Sequence, residues 1–112
     1  MQDADFSQLR KGLLEFLIVD IVSSGDVYVA DILGRLDGTD FATREGTLYP
    51  LLSRMRRDGL LDYDWRESTA GPPRKYYSLT DRGRAALRQM TEQWVAFTTS
   101  INELREAHEK DA

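Results

Sequence analysis

The chain has 112 residues and a formal net charge of −4, and it contains no cysteine. This length allows one domain with a modest core, and the lack of cysteine excludes disulfide bonds and thiolate metal sites. No apolar run reaches the roughly 18–20 residues that cross a bilayer, and the acidic, polar start is unlike a secretory signal, so we expect a cytoplasmic protein.

The first half of the chain is predicted to contain two helices before residue 40. Apolar residues at helical spacing predict a helix over residues 6–23 that is apolar on more than one side and is buried by more than one neighbour. A second, shorter helix is predicted from Tyr28, and the Asp37–Gly38 turn signal ends it.

A third helix is predicted over residues 44–58, with Thr43 as its N-cap. Pro50 lies inside this helix and removes one backbone hydrogen bond, so we expect a bent but continuous helix. Its buried stripe is predicted to consist of Leu48, Leu51, Leu52 and Met55.

After Gly59 the apolar period changes from 3.6 residues to 2, which indicates strands. Leu61, Tyr63 and Trp65 alternate with charged residues, and Tyr77 and Leu79 lie on one side of a second such run. The sequence "STAGPP" between the two runs has the composition of a loop. These features predict a β-hairpin over about residues 61–79, with a Gly-Pro-Pro tip and Tyr77 in the core.

From Thr80 or Asp81 onward a long terminal helix is predicted. Its apolar residues recur at alternating steps of three and four, which is the spacing of a coiled-coil seam. A second copy of the chain is the simplest partner for such a seam, and a helix that packs on its own domain is the alternative. The predicted dimer-interface residues, hereafter the terminal seam, are Leu87, Met90, Trp94, Phe97, Ile101 and Leu104.

Three helices followed by a hairpin predict a mainly α winged helix-turn-helix domain, residues 1–79, and a dimerisation helix, residues 80–112. Residues 44–88 hold 10 Lys/Arg against 6 Asp/Glu, whereas residues 1–43 hold 3 against 8 and residues 89–112 hold 2 against 5. The basic segment therefore coincides with the third helix and the hairpin, the elements expected to face DNA. Taken alone, this charge pattern is equally compatible with chance clustering of solvated arginines.

Two segments resemble the hallmarks of the PadR family of winged-helix transcriptional regulators: "GTLYPLLSRMRRDGLL" at 46–61 and "GPPRKYYSLTDRGRAAL" at 71–87. The presence of a single terminal helix resembles the smaller PadR subgroup. The resemblance implies a homodimer that binds an inverted-repeat operator in double-stranded DNA and acts as a repressor. It also implies that a small aromatic or cationic ligand relieves repression in some relatives.

The predicted DNA contacts lie on the third helix, the hairpin and the start of the first helix. Arg44 is assigned to guanine, hydroxyl groups on the third helix to phosphates, and the cations of the hairpin to phosphate or the minor groove. Solvated surface charge is the alternative for Arg44 and for Arg54. The predicted contact residues are Arg44, Glu45, Thr47, Tyr49, Arg54, Arg74, Lys75 and, more weakly, Lys11.

Trp94 is unusual at a seam position, and the resemblance favours a role for it in binding a planar ligand, with Phe97, Met90 and Phe16 completing the pocket. An ordinary interface aromatic is the alternative. No cofactor and no metal site are expected. One histidine, no cysteine and no acidic cluster leave no catalytic constellation, so an enzyme is not expected. The alternative function is a winged-helix protein–protein interaction module without operator binding.

Overall fold

Four α-helices and one antiparallel hairpin make up residues 4–111, the part of the chain that the computed structural model describes. This confirms the expected mainly α fold with a winged-helix order of elements and a long terminal helix. The elements are α1 (Ala4–Ser23), α2 (Val29–Leu36), α3 (Glu45–Arg57), β1 (Leu61–Ser68), β2 (Gly71–Leu79) and α4 (Asp81–Asp111).

The core lies between α1, α2, α3 and the base of the hairpin. In α1 the apolar face that carries Leu14, Ile18 and Val22 is buried, whereas the other apolar face is half-buried and its first residue, Leu9, is 60% exposed. Val27, just before α2, forms an isolated antiparallel bridge with Tyr77, which attaches the start of α2 to β2. The largest fully buried side chains are Ile18, Val19, Val22, Ile32, Leu48, Leu52, Met55 and Leu61.

Helix α3 is continuous through Pro50, as the sequence predicts, but it begins one residue later than predicted. The N-cap is Arg44, whose carbonyl oxygen accepts hydrogen bonds from the backbone N–H groups of Thr47 and Leu48. The prediction of Thr43 as the cap is therefore wrong, because Thr43 lies one residue outside the helix. At the other end Gly59 has a φ of +80°, a conformation that a residue without Cβ adopts readily.

The hairpin confirms the predicted strands and their faces but not the predicted tip. Tyr63 pairs with Tyr77 and Trp65 pairs with Lys75, so these four side chains share one face. The tip consists of Thr69 and Ala70, and the predicted Gly-Pro-Pro tip is wrong because Gly71 to Pro73 belong to β2. A register irregularity at this level lets the two prolines, which lack an N–H group, lie opposite Glu67.

Helix α4 is capped by Thr80, whose hydroxyl oxygen accepts a hydrogen bond from the Gly83 N–H at 2.9 Å. The first two residues of the terminal seam, Leu87 and Met90, are half-buried against the core of their own domain. The next four are exposed, and the helix continues away from the core in a molecule that measures 61 × 31 × 22 Å.

Candidate nucleic-acid interface

The outer face of α3 carries polar side chains at its start. Arg44, Glu45, Thr47 and Tyr49 are all exposed, while the four residues of the predicted apolar stripe are buried on the opposite side. The helical period thus separates the residues that hold α3 in the domain from those that it presents to solvent. Side chains near the N-terminus of such a helix are the ones that reach base edges in helix-turn-helix domains.

A groove of about 520 Å³ separates the start of α3 from the hairpin. It brings together four of the predicted contact residues, two from α3 and two from β2. Besides Tyr49 of α3, two further aromatic side chains line it, Tyr28 just before α2 and Trp65 of β1. This hairpin groove is lined by Tyr28, Val29, Ala30, Glu45, Tyr49, Trp65, Pro73, Arg74 and Lys75.

The two cations of β2 rest on aromatic rings. The Arg74 guanidinium lies 4.6 Å from the centroid of the Tyr28 ring, and the Lys75 ammonium lies 4.5 Å from that of Tyr63 and 5.4 Å from that of Trp65. A ring face attracts a cation without cancelling its charge. Since neither side chain joins an ion pair with another described residue, both charges remain available to an anion in the groove.

Two of the three carboxylates of β1 form ion pairs with arginines of the same chain. Asp62 pairs with Arg56 and Asp64 with Arg66, each at 3.5 Å. Arg66 also donates a hydrogen bond to Asp26, and this hydrogen bond raises the pKa of the Arg66 guanidinium. The cross-strand register places Asp64 on the face of the hairpin opposite to Trp65 and Lys75. Asp64 therefore does not face Lys75, and on its own face, which also carries Arg74, it is paired with Arg66.

A second cleft, of about 580 Å³, lies between α1 and α3, and Lys11 and Arg54 both line it together with Arg57. Arg54 forms an ion pair with Glu15 of α1, which offsets its charge. Arg10, also at this cleft, donates to the carbonyl oxygens of Asp40 and Ala42 and fixes the loop before α3. Lys11 lines this cleft beside the start of α3, which is the position that its predicted contact with phosphate requires.

The predicted ligand residues are only partly brought together. The Phe16 and Trp94 rings lie 6.4 Å apart between α1 and α4. They line an apolar cleft of about 180 Å³, whose other walls are Leu13, Leu17 and Phe41. Met90 packs on the core and Phe97 is 61% exposed, and neither lines this cleft.

Several lining residues were not assigned to either site from the sequence. Tyr28 reaches the hairpin groove because the segment before α2 pairs with β2, a long-range contact without a local sequence signal. Trp65 alternates with charged residues, as residues on the inner side of a half-buried strand do, yet it is 61% exposed. Phe41 lies in the loop before α3, where no periodic pattern marks it as part of a pocket.

Residues 4–111 contain no group of three or more His, Cys, Asp or Glu side chains placed to hold a metal ion. Over the same residues, none of the helices is both long enough and apolar enough to span a bilayer.

Comparison of the chain with protein families and with solved structures identifies relatives, and these relatives agree with one another. The model of the transcriptional regulator PadR-like family matches residues 18–89. The structure of a PadR-like transcription factor from Bacteroides fragilis is 42% identical, with 91% of this chain and 99% of that chain covered and a TM-score of 0.78. A PadR-like transcriptional regulator from Bacillus cereus is 37% identical, with 88% of this chain and 96% of that chain covered and a TM-score of 0.79. A Streptococcus transcriptional regulator is 30% identical, with 88% of this chain and 98% of that chain covered and a TM-score of 0.80. With this fold and these matches, the chain belongs to the PadR-like family of transcriptional regulators.

Proposed function

We propose that this regulator is a homodimeric repressor that binds an inverted-repeat operator and is released by a small aromatic or cationic ligand. The observation that supports operator binding most directly is the hairpin groove, where α3 and β2 present Glu45, Tyr49, Arg74 and Lys75 together. A duplex whose major groove receives α3 brings its backbone towards the hairpin, and phosphates then meet the two cations.

Within this proposal the side chains of α3 supply sequence preference. Arg44 donates to the O6 and N7 acceptors of a guanine, and the Glu45 carboxylate accepts from a cytosine amino group. Thr47 and Tyr49 donate hydroxyl hydrogens to phosphates, as does Lys11 with its ammonium group. Arg54 contacts phosphate only by leaving Glu15, so it contributes less than an unpaired arginine would.

The proposed DNA-binding unit is residues 1–79, and residues 80–112 supply the dimerisation helix. Ligand release is proposed to act through the Phe16–Trp94 cleft, because this contact joins α1 to α4. A planar compound between these rings changes the angle between the two helices and so the spacing of the two α3 helices in a dimer. Titration of a planar cationic dye by calorimetry tests this: Trp94→Ala should lose dye binding and keep DNA binding.

The experiment that tests operator binding is a selection of bound fragments from random double-stranded DNA at near-physiological salt. We expect the unmodified protein to enrich an inverted repeat. The Arg74→Ala, Lys75→Ala variant should bind all sequences more weakly, with a salt dependence flatter by about two units, because two phosphate contacts are lost. By contrast, Arg44→Ala or Thr47→Ala should change the preferred sequence.

The matched control removes the same charge elsewhere: Arg88→Ala with Lys110→Ala alters two exposed cations of α4, outside the hairpin groove. This control should select the same repeat as the unmodified protein. Equal losses in the two double variants would show that net charge, rather than the groove, determines binding. Failure of the unmodified protein to enrich any sequence would favour the protein–protein interaction module instead.

A further inference from the structure

Trp65 is a large apolar side chain that the fold leaves in solvent. It is 61% exposed, although Leu61 on the same face of β1 is buried at the base of the hairpin. The Trp65 ring meets Tyr63 edge-on, with 6.3 Å between centroids and an interplanar angle of 89°. At Trp65 the hairpin has already extended beyond the core, so packing in the core does not explain a large apolar side chain here.

The surroundings of Trp65 are those of a site for a sugar–phosphate strand. Trp65 lies directly opposite Lys75 in the hairpin register, and both line the hairpin groove with Arg74 and Pro73. Both cations line the groove, with the apolar Trp65 ring next to Lys75 on one face of the hairpin and Arg74 on the other face. This combination matches a strand in which anionic phosphates alternate with deoxyribose rings that have apolar edges.

The position of the groove indicates which strand it receives. If α3 lies in the major groove and the hairpin reaches the neighbouring minor groove, one sugar–phosphate strand separates these two elements. That strand has to pass between α3 and β2, where Trp65 stands across from Tyr49 and Glu45. Stacking or packing of DNA on an exposed aromatic side chain removes apolar surface from water in the complex alone.

We propose that Trp65 is a DNA-contact residue whose ring packs on deoxyribose in this strand, beside the phosphate that pairs with Lys75. The inference rests on the proposed function and extends the interface beyond the charged and hydroxyl-bearing residues assigned above. Because the contact is uncharged and falls on the backbone, it adds affinity for every sequence and leaves the salt dependence unchanged.

The test uses a fluorescein-labelled duplex of random sequence at low salt, so that phosphate contacts alone give measurable binding. Trp65→Ala should weaken binding about tenfold through the loss of apolar contact area, and Trp65→Phe should retain most of the affinity. The slope of affinity against salt should equal that of the unmodified protein for both variants.

A second measurement does not alter Trp65. The chain has two tryptophans, so Trp94→Phe leaves Trp65 as the only one. Its emission should shift to shorter wavelength and change in intensity when unlabelled duplex is added, because DNA covers the indole. The matched control, Trp65→Phe, leaves Trp94 in the cleft between α1 and α4 as the reporter, and its emission should not shift to shorter wavelength, because DNA does not cover that indole.

Each other outcome overturns the inference. Unchanged Trp65 emission at saturating duplex would mean that DNA does not cover the ring, whatever the stability of the Trp65→Ala variant. A salt slope reduced by about one unit in Trp65→Ala would show that Trp65 acts only by holding Lys75 in place. If the unmodified protein binds no duplex, the proposed function fails as well, whereas normal binding by Trp65→Ala removes this inference alone.

Discussion

Among single residues, Gly83 is the one where α4 passes closest to the rest of the chain. It is buried, and a Cβ at this position would lie far inside van der Waals contact with the Leu60 carbonyl oxygen and 3.2 Å from Leu79 Cδ2. The Leu60 oxygen cannot move freely, because it accepts a hydrogen bond from the Thr80 N–H, and the Thr80 hydroxyl donates to the adjacent Gly59 carbonyl oxygen. The absence of a side chain therefore permits the junction between the hairpin and α4.

We expect Gly83→Ala to lower the free energy of unfolding by about 3 kcal/mol, the upper end of the range for overpacking a close contact. Urea unfolding followed by circular dichroism measures this change. Gly34→Ala is the matched control, since Gly34 is an exposed helical residue whose added Cβ meets no atom within 4 Å. That variant should be more stable by roughly 0.5–1 kcal/mol, and equal effects in both variants would refute the close-contact argument.

Tyr77 gives the fold a dependence on alkaline pH. Burial raises the pKa of its phenol in the folded protein, because the charged phenolate is poorly solvated there. Above pH of about 10, the unfolded chain loses this proton more readily than the folded chain, so stability falls as pH rises.

In urea unfolding between neutral and alkaline pH, the free energy of unfolding of Tyr77→Phe should fall less steeply than that of the unmodified protein. An unchanged profile would contradict this, and Tyr76→Phe, on the opposite face of the hairpin, is the control.

At the scale of helices and strands, sequence periodicity predicted the kind of element and the face on which each side chain lies. It predicted less well how deeply each side chain is buried. The alternation in β1 correctly predicted that Leu61, Tyr63 and Trp65 share a face, but not that burial ends before Trp65. Periodicity records which way a side chain points, whereas burial depends on how far neighbouring elements extend. The same limit applies to the tip: Pro72 and Pro73 favour a turn locally, yet the pairing of distant residues places them in β2.

The orientation of the hairpin depends on Tyr28 at the start of α2. Its ring lies 5.4 Å from the Tyr76 ring and 4.6 Å from the Arg74 guanidinium. Aromatic and cation–π contacts of this kind each contribute roughly 0.5–1 kcal/mol at exposed positions. Tyr28 therefore attaches the hairpin to the helix-turn-helix part of the domain and holds one of the proposed phosphate contacts in place.

We expect Tyr28→Ala to loosen the hairpin, with faster amide hydrogen exchange in β2 and weaker DNA binding, while α1 and α3 keep their protection. Tyr28→Phe keeps the ring, which makes both contacts, and should behave like the unmodified protein. Equal effects of the two substitutions would show that the hydroxyl group, rather than the ring, attaches the hairpin.

For the molecule as a whole, the exposed apolar side chains are concentrated on two helices. Apart from Tyr49 and Trp65, the large hydrophobic residues exposed within the described part of the chain lie near the start of α1 or along α4: Phe6, Leu9, Trp94, Val95, Phe97, Ile101 and Leu104. On a small domain, a surface of this kind is where we expect contact with another protein. The heptad spacing could not show that Leu87 and Met90 pack on their own core, because periodicity does not distinguish an internal partner from an external one.

The last prediction concerns that partner. If a second copy covers the exposed part of the terminal seam, Ile101→Glu with Leu104→Glu places two carboxylates in an apolar interface, where burial of unpaired charge opposes association. We expect this variant to sediment as a monomer at concentrations at which the unmodified protein is a dimer, and to bind an inverted repeat no better than a single half-site.

Thr99→Glu with Asn102→Glu adds the same charge at exposed α4 positions outside the seam and should leave the dimer intact. A monomeric unmodified protein, or a dimer that survives both pairs of substitutions, would mean that the exposed seam serves a different partner and that this regulator does not assemble through α4.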